Sequence, residues 1–89
     1  MLYMVLEHFH EDGGRAVYER FRARGRMIPE GVEYVDSWVD ADVTRCWQLM
    51  RTDDVQLLHE WARNWSDIAD FEFIPVITGR DAAAKVLGS

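Results

Sequence analysis

Residues 32–51, VEYVDSWVDADVTRCWQLMR, decide the fold of this chain. Residues 32–40 and 43–51 are both rich in β-branched and aromatic side chains, as is typical of strands. Only Ala41 and Asp42 separate the two runs, which is the length of a tight hairpin connection, although Ala-Asp is not a favoured turn dipeptide. The stretch therefore predicts two antiparallel strands, and further strands are expected on either side.

The segment before this hairpin predicts a strand and a helix. Residues 2–9, LYMVLEHF, are rich in strand-forming residues and are followed by a Gly-Gly turn signal. Asp12 is placed to cap a helix in which Val17, Tyr18 and Phe21 fall on one face. Gly25 suits the end of that helix, because glycine tolerates the left-handed conformation.

The segment after the hairpin predicts a second helix, a fourth strand and a short third helix. Asp53 is the expected N-cap of the second helix, with Gln56 at the reciprocal position. The apolar face of that helix comprises Val55, Leu58, Ala62 and Trp65. Residues 70–78, DFEFIPVIT, predict a strand at a sheet edge, because Pro75 has no N–H to donate to a ladder. The short helix is expected over residues 81–87.

The element order βαββαβ predicts an α+β fold of the ferredoxin-like type. Two right-handed crossovers around a hairpin give a four-stranded antiparallel sheet with both crossover helices on one face. A length of 89 residues leaves room for one domain, so residues 1–89 are expected to form a single ferredoxin-like domain.

Composition argues against several classes of protein. Ten Lys and Arg against 16 Asp and Glu give a net charge of −6, and such a field repels the phosphates of nucleic acids and acidic membranes. Cys46 is the only cysteine, which excludes an internal disulfide framework and a multi-cysteine zinc site. The apolar run over residues 1–6 is too short for a signal peptide or a membrane span. We therefore expect a cytoplasmic protein with no nucleic-acid or membrane partner.

Alternation along the strands divides the sheet into a face under the helices and an open face. The side chains expected under the helices are Leu2, Met4, Leu6, Val35, Ser37, Val39, Trp47 and Leu49. Those expected on the open face are Tyr3, Val5, Glu7, Phe9, Tyr34, Asp36, Trp38, Cys46, Gln48 and Met50. The second set contains several large aromatics, and soluble monomers rarely leave such a patch in water. A symmetric homodimer that packs two open faces together is the expected result.

Two longer motifs give a resemblance to a known family. They are GRMIPEG at residues 25–31 and YVDSW at residues 34–38, and the match extends over nearly the whole chain. With them, the chain resembles a short uncharacterised family, a domain of unknown function, within the dimeric α/β-barrel superfamily. The resemblance implies a ferredoxin-like protomer and a dimer whose two sheets form a barrel. It implies no reaction.

Polar side chains on the expected open face form the candidate site. Glu7 and Asp36 are the candidate catalytic bases, since carboxylates in a poorly solvated cavity have raised pKa values. The candidate ligand-binding residues are Tyr3, Arg26, Tyr34, Trp38 and Gln48. The alternative role is structural, in which the buried polar groups satisfy one another or trapped water across the dimer.

Three functions remain open on the sequence. The first is binding of a small organic molecule, either between sheet and helices or at the dimer interface. The second is a cofactor-independent monooxygenase or isomerase with Glu7 or Asp36 as its base. The third is a non-enzymatic interaction or stress-related protein whose dimer presents helix surfaces.

No metal or cofactor is expected. His8 and His10 are two residues apart and Asp12 follows, but these three do not match a known metal-ligand spacing, and solvated histidines are common at strand ends. His59 with Trp61 matches the haem-degrading members of the superfamily only in part, because the first strand here has no asparagine.

Overall fold

Four strands and three helices alternate along the chain in the predicted order, βαββαβ followed by a short helix. The computed structural model describes residues 1–88. The strands are β1 (Leu2–Phe9), β2 (Val32–Val39), β3 (Arg45–Thr52) and β4 (Ala69–Val76). The helices are α1 (Gly13–Arg24), α2 (Val55–Ala62) and α3 (Gly79–Leu87).

The sheet is antiparallel throughout, and its strand order is β2-β3-β1-β4. β2 and β3 pair as the predicted hairpin, and β1 lies between β3 and β4. β4 is an edge strand, which confirms the position inferred from Pro75, a residue that cannot donate to a second neighbour. The architecture is therefore the expected α+β, ferredoxin-like one.

The connection between β2 and β3 is wider than the two residues predicted, and Asp40 organises it. The Asp40 carboxylate accepts the Thr44 hydroxyl at 2.6 Å and the backbone N–H groups of Thr44 at 2.7 Å and Arg45 at 2.8 Å. These three hydrogen bonds lower the pKa of Asp40 from 3.8 to about 2, and the bond from the Thr44 hydroxyl has the largest effect. Ala-Asp lacks the left-handed preference that a two-residue hairpin turn requires, so a longer turn closed by a side chain takes its place.

The helix termini differ from the prediction in detail. Asp12 precedes α1 with a φ of 65°, but its side chain makes no capping hydrogen bond. The N-cap of α2 is Asp54 and not Asp53, and its carboxylate accepts the N–H of Gln56 at 2.9 Å. Gly25 follows α1 with a φ of 68°, as predicted for a helix end. These differences move element bounds by a residue or two and leave the topology unchanged.

The helices cover the opposite face of β1 and β3 from the one predicted. The buried side chains of these two strands are Val5, Glu7, Cys46, Gln48, Met50 and Thr52. Tyr3 and Phe9 pack against the same core, whereas Met4 and Leu6 pair with Leu49 and Trp47 on the other face. The prediction was wrong because both faces of β1 carry large apolar residues, so alternation defines two faces without saying which one is covered.

The core lies between this covered face and the two crossover helices. Val5 and Met50 are fully buried and contact Leu58, Trp61 and Trp65 from α2 and the turn that follows it. Two tryptophans supply most of the helix-side volume, and large rings can fill the space above short or polar sheet residues. The covered face can therefore hold a buried carboxylate and a buried amide beside its apolar residues.

A β-bulge in β2 places Tyr34 on the covered face and not on the open face, where it was predicted. Tyr34 pairs with Met50, but Asp36 pairs with Leu49, so Val35 is an extra residue that faces no partner of its own. A bulge shifts the alternation by one residue. Tyr34 therefore lies on the covered face, whereas Asp36 lies on the open face, as predicted.

The open face carries a group of apolar side chains contributed by all four strands, Leu2, Met4, Leu6, Trp38, Trp47, Leu49, Ile74 and Val76. Polar and charged side chains share this face, namely His8, Glu33, Asp36, Arg45, Arg51, Asp70 and Glu72. None of these side chains is buried, and Trp38 is 52% exposed. Antiparallel sheets with one solvated face normally carry polar side chains there, so the apolar group distinguishes this face from an ordinary solvent-facing sheet.

Candidate functional site

A cavity of about 90 Å³ lies between the covered face of the sheet and the helices. Its polar lining comes from Glu7, Arg26, Ser37, Cys46 and Gln48. Its apolar walls are formed by Phe9, Val17, Tyr18, Phe21, Val39, Trp61 and Trp65. Concave sites with apolar walls and a few polar groups are typical of small-molecule binding. We refer to this space below as the cavity.

Glu7 and Gln48 form the floor of the cavity. They are only 3% and 6% exposed, and the Nε2 of Gln48 donates a hydrogen bond to the Glu7 carboxylate. The other end of the amide, Oε1 of Gln48, is buried and has no hydrogen-bond partner among the described residues. The floor therefore presents an acceptor that no part of the described chain satisfies.

Burial raises the pKa of Glu7 above its usual value. The hydrogen bonds from Gln48 and from the Cys46 thiol act in the opposite direction, as does the charge of Arg26, but desolvation is the largest effect. A carboxyl group with this surrounding holds its proton to a higher pH than a solvated one. Glu7 can therefore exchange a proton closer to neutral pH than an ordinary glutamate.

Cys46 lies beside Glu7 and is not an activated nucleophile. Burial and the neighbouring Glu7 carboxylate raise the pKa of its thiol to about 12. The thiol consequently stays protonated at neutral pH, and a thiolate is the form that attacks electrophiles or binds metals. In this site Cys46 serves as a weak hydrogen-bond donor to Glu7.

Arg26 is fixed at the rim of the cavity. Its guanidinium carbon lies 3.9 Å from the ring centroid of Tyr34 and 4.9 Å from that of Phe21. One guanidinium nitrogen donates to the Tyr34 hydroxyl at 3.2 Å, and the backbone carbonyl of Arg26 accepts the indole N–H of Trp61 at 2.8 Å. The Tyr34 hydroxyl in turn lies 2.5 Å from the hydroxyl of Ser37. These contacts hold the positive charge of Arg26 in one place.

The backbone before and after Arg26 explains why the GRM segment positions this side chain. Gly25 and Met27, on either side of Arg26, both have positive φ values, 68° and 60°. A positive φ suits a glycine and is uncommon for methionine. The result is a short loop that places one guanidinium over the mouth of the cavity.

The structure brings together four of the seven residues predicted for the site. Glu7, Arg26 and Gln48 line the cavity, and Tyr34 contacts Arg26 at its rim. Tyr3 lies on the covered face but packs against the core outside the cavity lining.

Asp36 and Trp38 are exposed on the opposite face of the sheet. The Asp36 carboxylate accepts the backbone N–H of the next residue, Ser37, at 2.8 Å. The expectation that Glu7 and Asp36 share one enclosed space is therefore wrong. Its cause is the reversed assignment of the β1 and β3 faces, which placed Glu7 on the side where Asp36 lies.

Sequence reasoning missed the helix side of the site. Tyr18 and Phe21 line the cavity, and their three-residue spacing on α1 is the signal of a shared helical face. Ser37 was expected under the helices and does lie there, but its bond to Tyr34 depends on the bulge, for which the sequence carries no signal.

The histidines near the end of β1 do not form a metal centre with the residues around them. His10 lies 2.9 Å from Asp70, which raises the pKa of the imidazole, and His8 is exposed. Within residues 1–88, no group of three or more His, Cys, Asp or Glu side chains is arranged to hold a metal ion.

Comparisons with known proteins place the chain in a family without assigning it an activity. No curated protein matches the chain, and no solved structure does. Among the described helices, none combines the length and the apolar character needed to cross a bilayer. A family model described as a domain of unknown function, DUF3303, matches residues 1–88. The chain therefore belongs to the DUF3303 family.

Proposed function

We propose that this protein binds a small organic molecule in the cavity between the sheet and the helices. The observation that carries the proposal is the Oε1 atom of Gln48, a buried acceptor without a partner among the described residues, on a side chain that lines an apolar-walled cavity. Leaving such an atom unsatisfied costs about 1–3 kcal/mol. A bound molecule with a hydrogen-bond donor removes that cost.

The charged residues around the cavity would orient a molecule that is bound to this acceptor. Glu7 is buried and Arg26 is half-buried, so an acidic group lines the deeper part of the space and a basic group lines its more exposed part. The aromatic walls favour a flat apolar body between these charged groups. The cavity has room for several waters or for one end of a larger molecule whose other end extends through the mouth.

Ordered water is the competing occupant, and a fragment screen separates the two. Protein-observed NMR with a library of small aromatic and aliphatic fragments should shift the amide signals of Glu7, Arg26 and Gln48. The shifts should be lost in Gln48→Met, which keeps the side-chain volume but removes the acceptor, and retained in Asp36→Asn on the open face. A folded wild-type protein whose cavity amides respond to no fragment at millimolar concentration would overturn the proposal in favour of an interaction protein.

A second candidate function is proton abstraction by Glu7, as in a cofactor-independent monooxygenase or isomerase. The observation that favours it is the raised pKa of a carboxyl group that lines the cavity. Asp36 does not support this function, because it is solvent-exposed on the other face. The test is whether a molecule bound in the cavity is converted by the wild type but only bound by Glu7→Gln.

We also propose that the protein is a homodimer in which two open faces pack together, the assembly expected of a dimeric α/β barrel. The protomer is a slab of 46 × 30 × 17 Å with a radius of gyration of 14.4 Å. A compact chain of this length has a radius of gyration of about 12 Å. The thin protomer leaves the apolar open face uncovered, and a second copy presents the same apolar surface to it.

The area of the open face reaches the lower limit for a specific protein–protein interface. Four strands about 4.8 Å apart and eight residues of about 3.4 Å each give a face of roughly 500 Å². Two such faces bury about 1,000 Å² together, which is the lower bound of specific interfaces, and projecting side chains increase this figure. Trp38 and Trp47 lie opposite each other on β2 and β3. Tryptophans often contribute a large part of the binding free energy of an interface, so we expect this pair to do so here.

A further inference from the structure

The two ends of the cavity differ in hydrogen-bonding character, and this difference defines a ligand. The floor holds two acceptors, the Glu7 carboxylate and the unpartnered Oε1 of Gln48, and the cavity is also lined by Trp65, whose buried indole N–H has no partner among the described residues. The rim consists of donors, because a guanidinium has five N–H groups and no acceptor. A molecule that donates at its inner end and accepts at its outer end therefore suits both Oε1 of Gln48 and the guanidinium of Arg26.

The guanidinium of Arg26 is only partly used by the protein. Among the described residues it makes one hydrogen bond, to the Tyr34 hydroxyl, and forms no ion pair with a carboxylate. Stacking on Tyr34 and Phe21 fixes the plane of the group while leaving its edges available. A fixed guanidinium edge matches the two oxygens of a carboxylate and pairs with them through two parallel N–H bonds.

The floor opposes the same charge that the rim attracts. An anionic group at the inner end would lie against the Glu7 carboxylate and would leave Oε1 of Gln48 without a donor. A hydroxyl or amino group there donates to Gln48 and restores its missing bond. A cationic ligand would satisfy the floor but would bring a second positive charge next to Arg26.

We propose, resting on the proposed function of the cavity, that its ligand is a small organic acid with a flat apolar body. Its carboxylate pairs with Arg26 at the rim, and a hydroxyl or amino group at the opposite end donates to Oε1 of Gln48. The aromatic walls formed by Tyr18, Phe21 and Trp61 contact the body between these two ends. The simplest probe with all three features is 4-hydroxybenzoate.

Three probes with the same ring test the assignment on the wild-type protein by NMR titration. They are 4-hydroxybenzoate, benzoate without the inner donor, and 4-hydroxybenzyl alcohol without the outer charge. We expect 4-hydroxybenzoate to bind about tenfold more tightly than either of the others, since benzoate leaves the buried acceptor of Gln48 unpaired and the alcohol loses the charge-assisted bond to Arg26. Equal affinity for all three probes at the cavity would overturn the ligand class and leave the proposed function standing. If none of the three shifts the cavity amides, the ligand class is overturned, and the fragment screen then decides the proposed function separately.

Variants of Arg26 test whether this residue causes the tighter binding of 4-hydroxybenzoate. Arg26→Met should remove the advantage of 4-hydroxybenzoate over the alcohol, and Arg26→Lys should reduce it, because a lysine keeps the charge without the planar edge. Arg24→Met removes a charge from the exposed end of α1 and should leave the advantage unchanged. An advantage that survives in folded Arg26→Met would overturn the proposal, and the comparison of probes on the wild type decides it if this variant does not fold.

Discussion

The side-chain amide of Gln48 on β3 donates to the carboxylate of Glu7 on β1, across the β1–β3 ladder and beneath helix α1. Both residues are buried, so this bond fixes the orientation of the amide. With Nε2 committed to Glu7, Oε1 is left without a partner. The hydrogen bond to Glu7 satisfies the Nε2 end of the amide but not Oε1. A buried polar network with an unsatisfied atom is destabilising unless a further hydrogen-bond donor pairs with that atom.

The first prediction concerns the pH dependence of stability. Because burial raises the pKa of Glu7 above its unfolded value, its ionised form destabilises the folded protein. The contribution of Glu7 to the free energy of unfolding should be most favourable below the usual glutamate pKa and should fall as pH rises through the folded one. The loss is about 1.4 kcal/mol for each unit by which the two pKa values differ.

Glu7→Gln tests this prediction. Denaturant unfolding between pH 4 and 8 should show a flatter slope in the variant than in the wild type, since an amide does not ionise. Asp36→Asn is the matched control on the open face and should leave the slope due to Glu7 unchanged. A wild-type Glu7 carboxyl that titrates near 4 by NMR, as solvated carboxyls do, would contradict the prediction.

The topology could be predicted because each element carries its own local signal. The hairpin of β2 and β3 follows from two strand-like runs close in sequence, and Pro75 identifies β4 as an edge strand. The covered face of β1 carries no such signal. Met4 and Leu6 are as apolar as Val5 and Tyr3, and the choice between them depends on packing against Trp61 and Trp65, which lie far along the chain.

The site could be predicted in part, for a related reason. Glu7 and Gln48 stand out as polar residues among apolar ones in both strands, so they were identified although their face was not. Tyr34 and Asp36 differ by two residues and were assigned to one face, but the bulge at Val35 separates them. A bulge depends on the pairing of two strands, so the sequence of β2 alone does not predict it.

The second prediction concerns the turn between β2 and β3. Asp40→Ala removes an acceptor for three hydrogen bonds, two of them from backbone N–H groups. The variant should have a lower melting temperature than the wild type, whereas Asp42→Ala in the same turn should not. Similar melting temperatures for Asp40→Ala and the wild type would show that these bonds do not hold the hairpin.

Asp40 should also contribute to acid sensitivity. Its folded pKa of about 2 lies below the usual 3.8, so its contribution to stability is present above about pH 4 and is lost as pH falls towards 2. The wild type should therefore lose more stability than Asp40→Asn over this range. Thermal unfolding at pH 5, 3 and 2 measures the difference.

The third prediction concerns the reactivity of Cys46. With a thiol pKa of about 12, its thiolate fraction at pH 8 is far below that of a solvated cysteine, whose pKa is about 8.5. Iodoacetamide should therefore alkylate the folded protein much more slowly than the protein unfolded in urea, as measured by intact mass. Glu7→Gln should speed the reaction of the folded protein, because it removes a neighbouring negative charge. Equal rates in the folded and unfolded states would contradict the buried position of the thiol.

The last prediction concerns assembly. Two chains of 10.4 kDa should sediment together as a species of about 21 kDa at micromolar concentration, because the apolar open face is otherwise left in water. Trp38→Glu should shift the protein towards monomer or impair its folding, since it removes the most exposed ring of that face and puts a second carboxylate near Asp36. Arg22→Glu adds the same charged side chain to the outer surface of α1 and should sediment as the wild type does. A folded wild-type monomer at this concentration, or a Trp38→Glu dimer as stable as the wild type, would show that two open faces do not pack together.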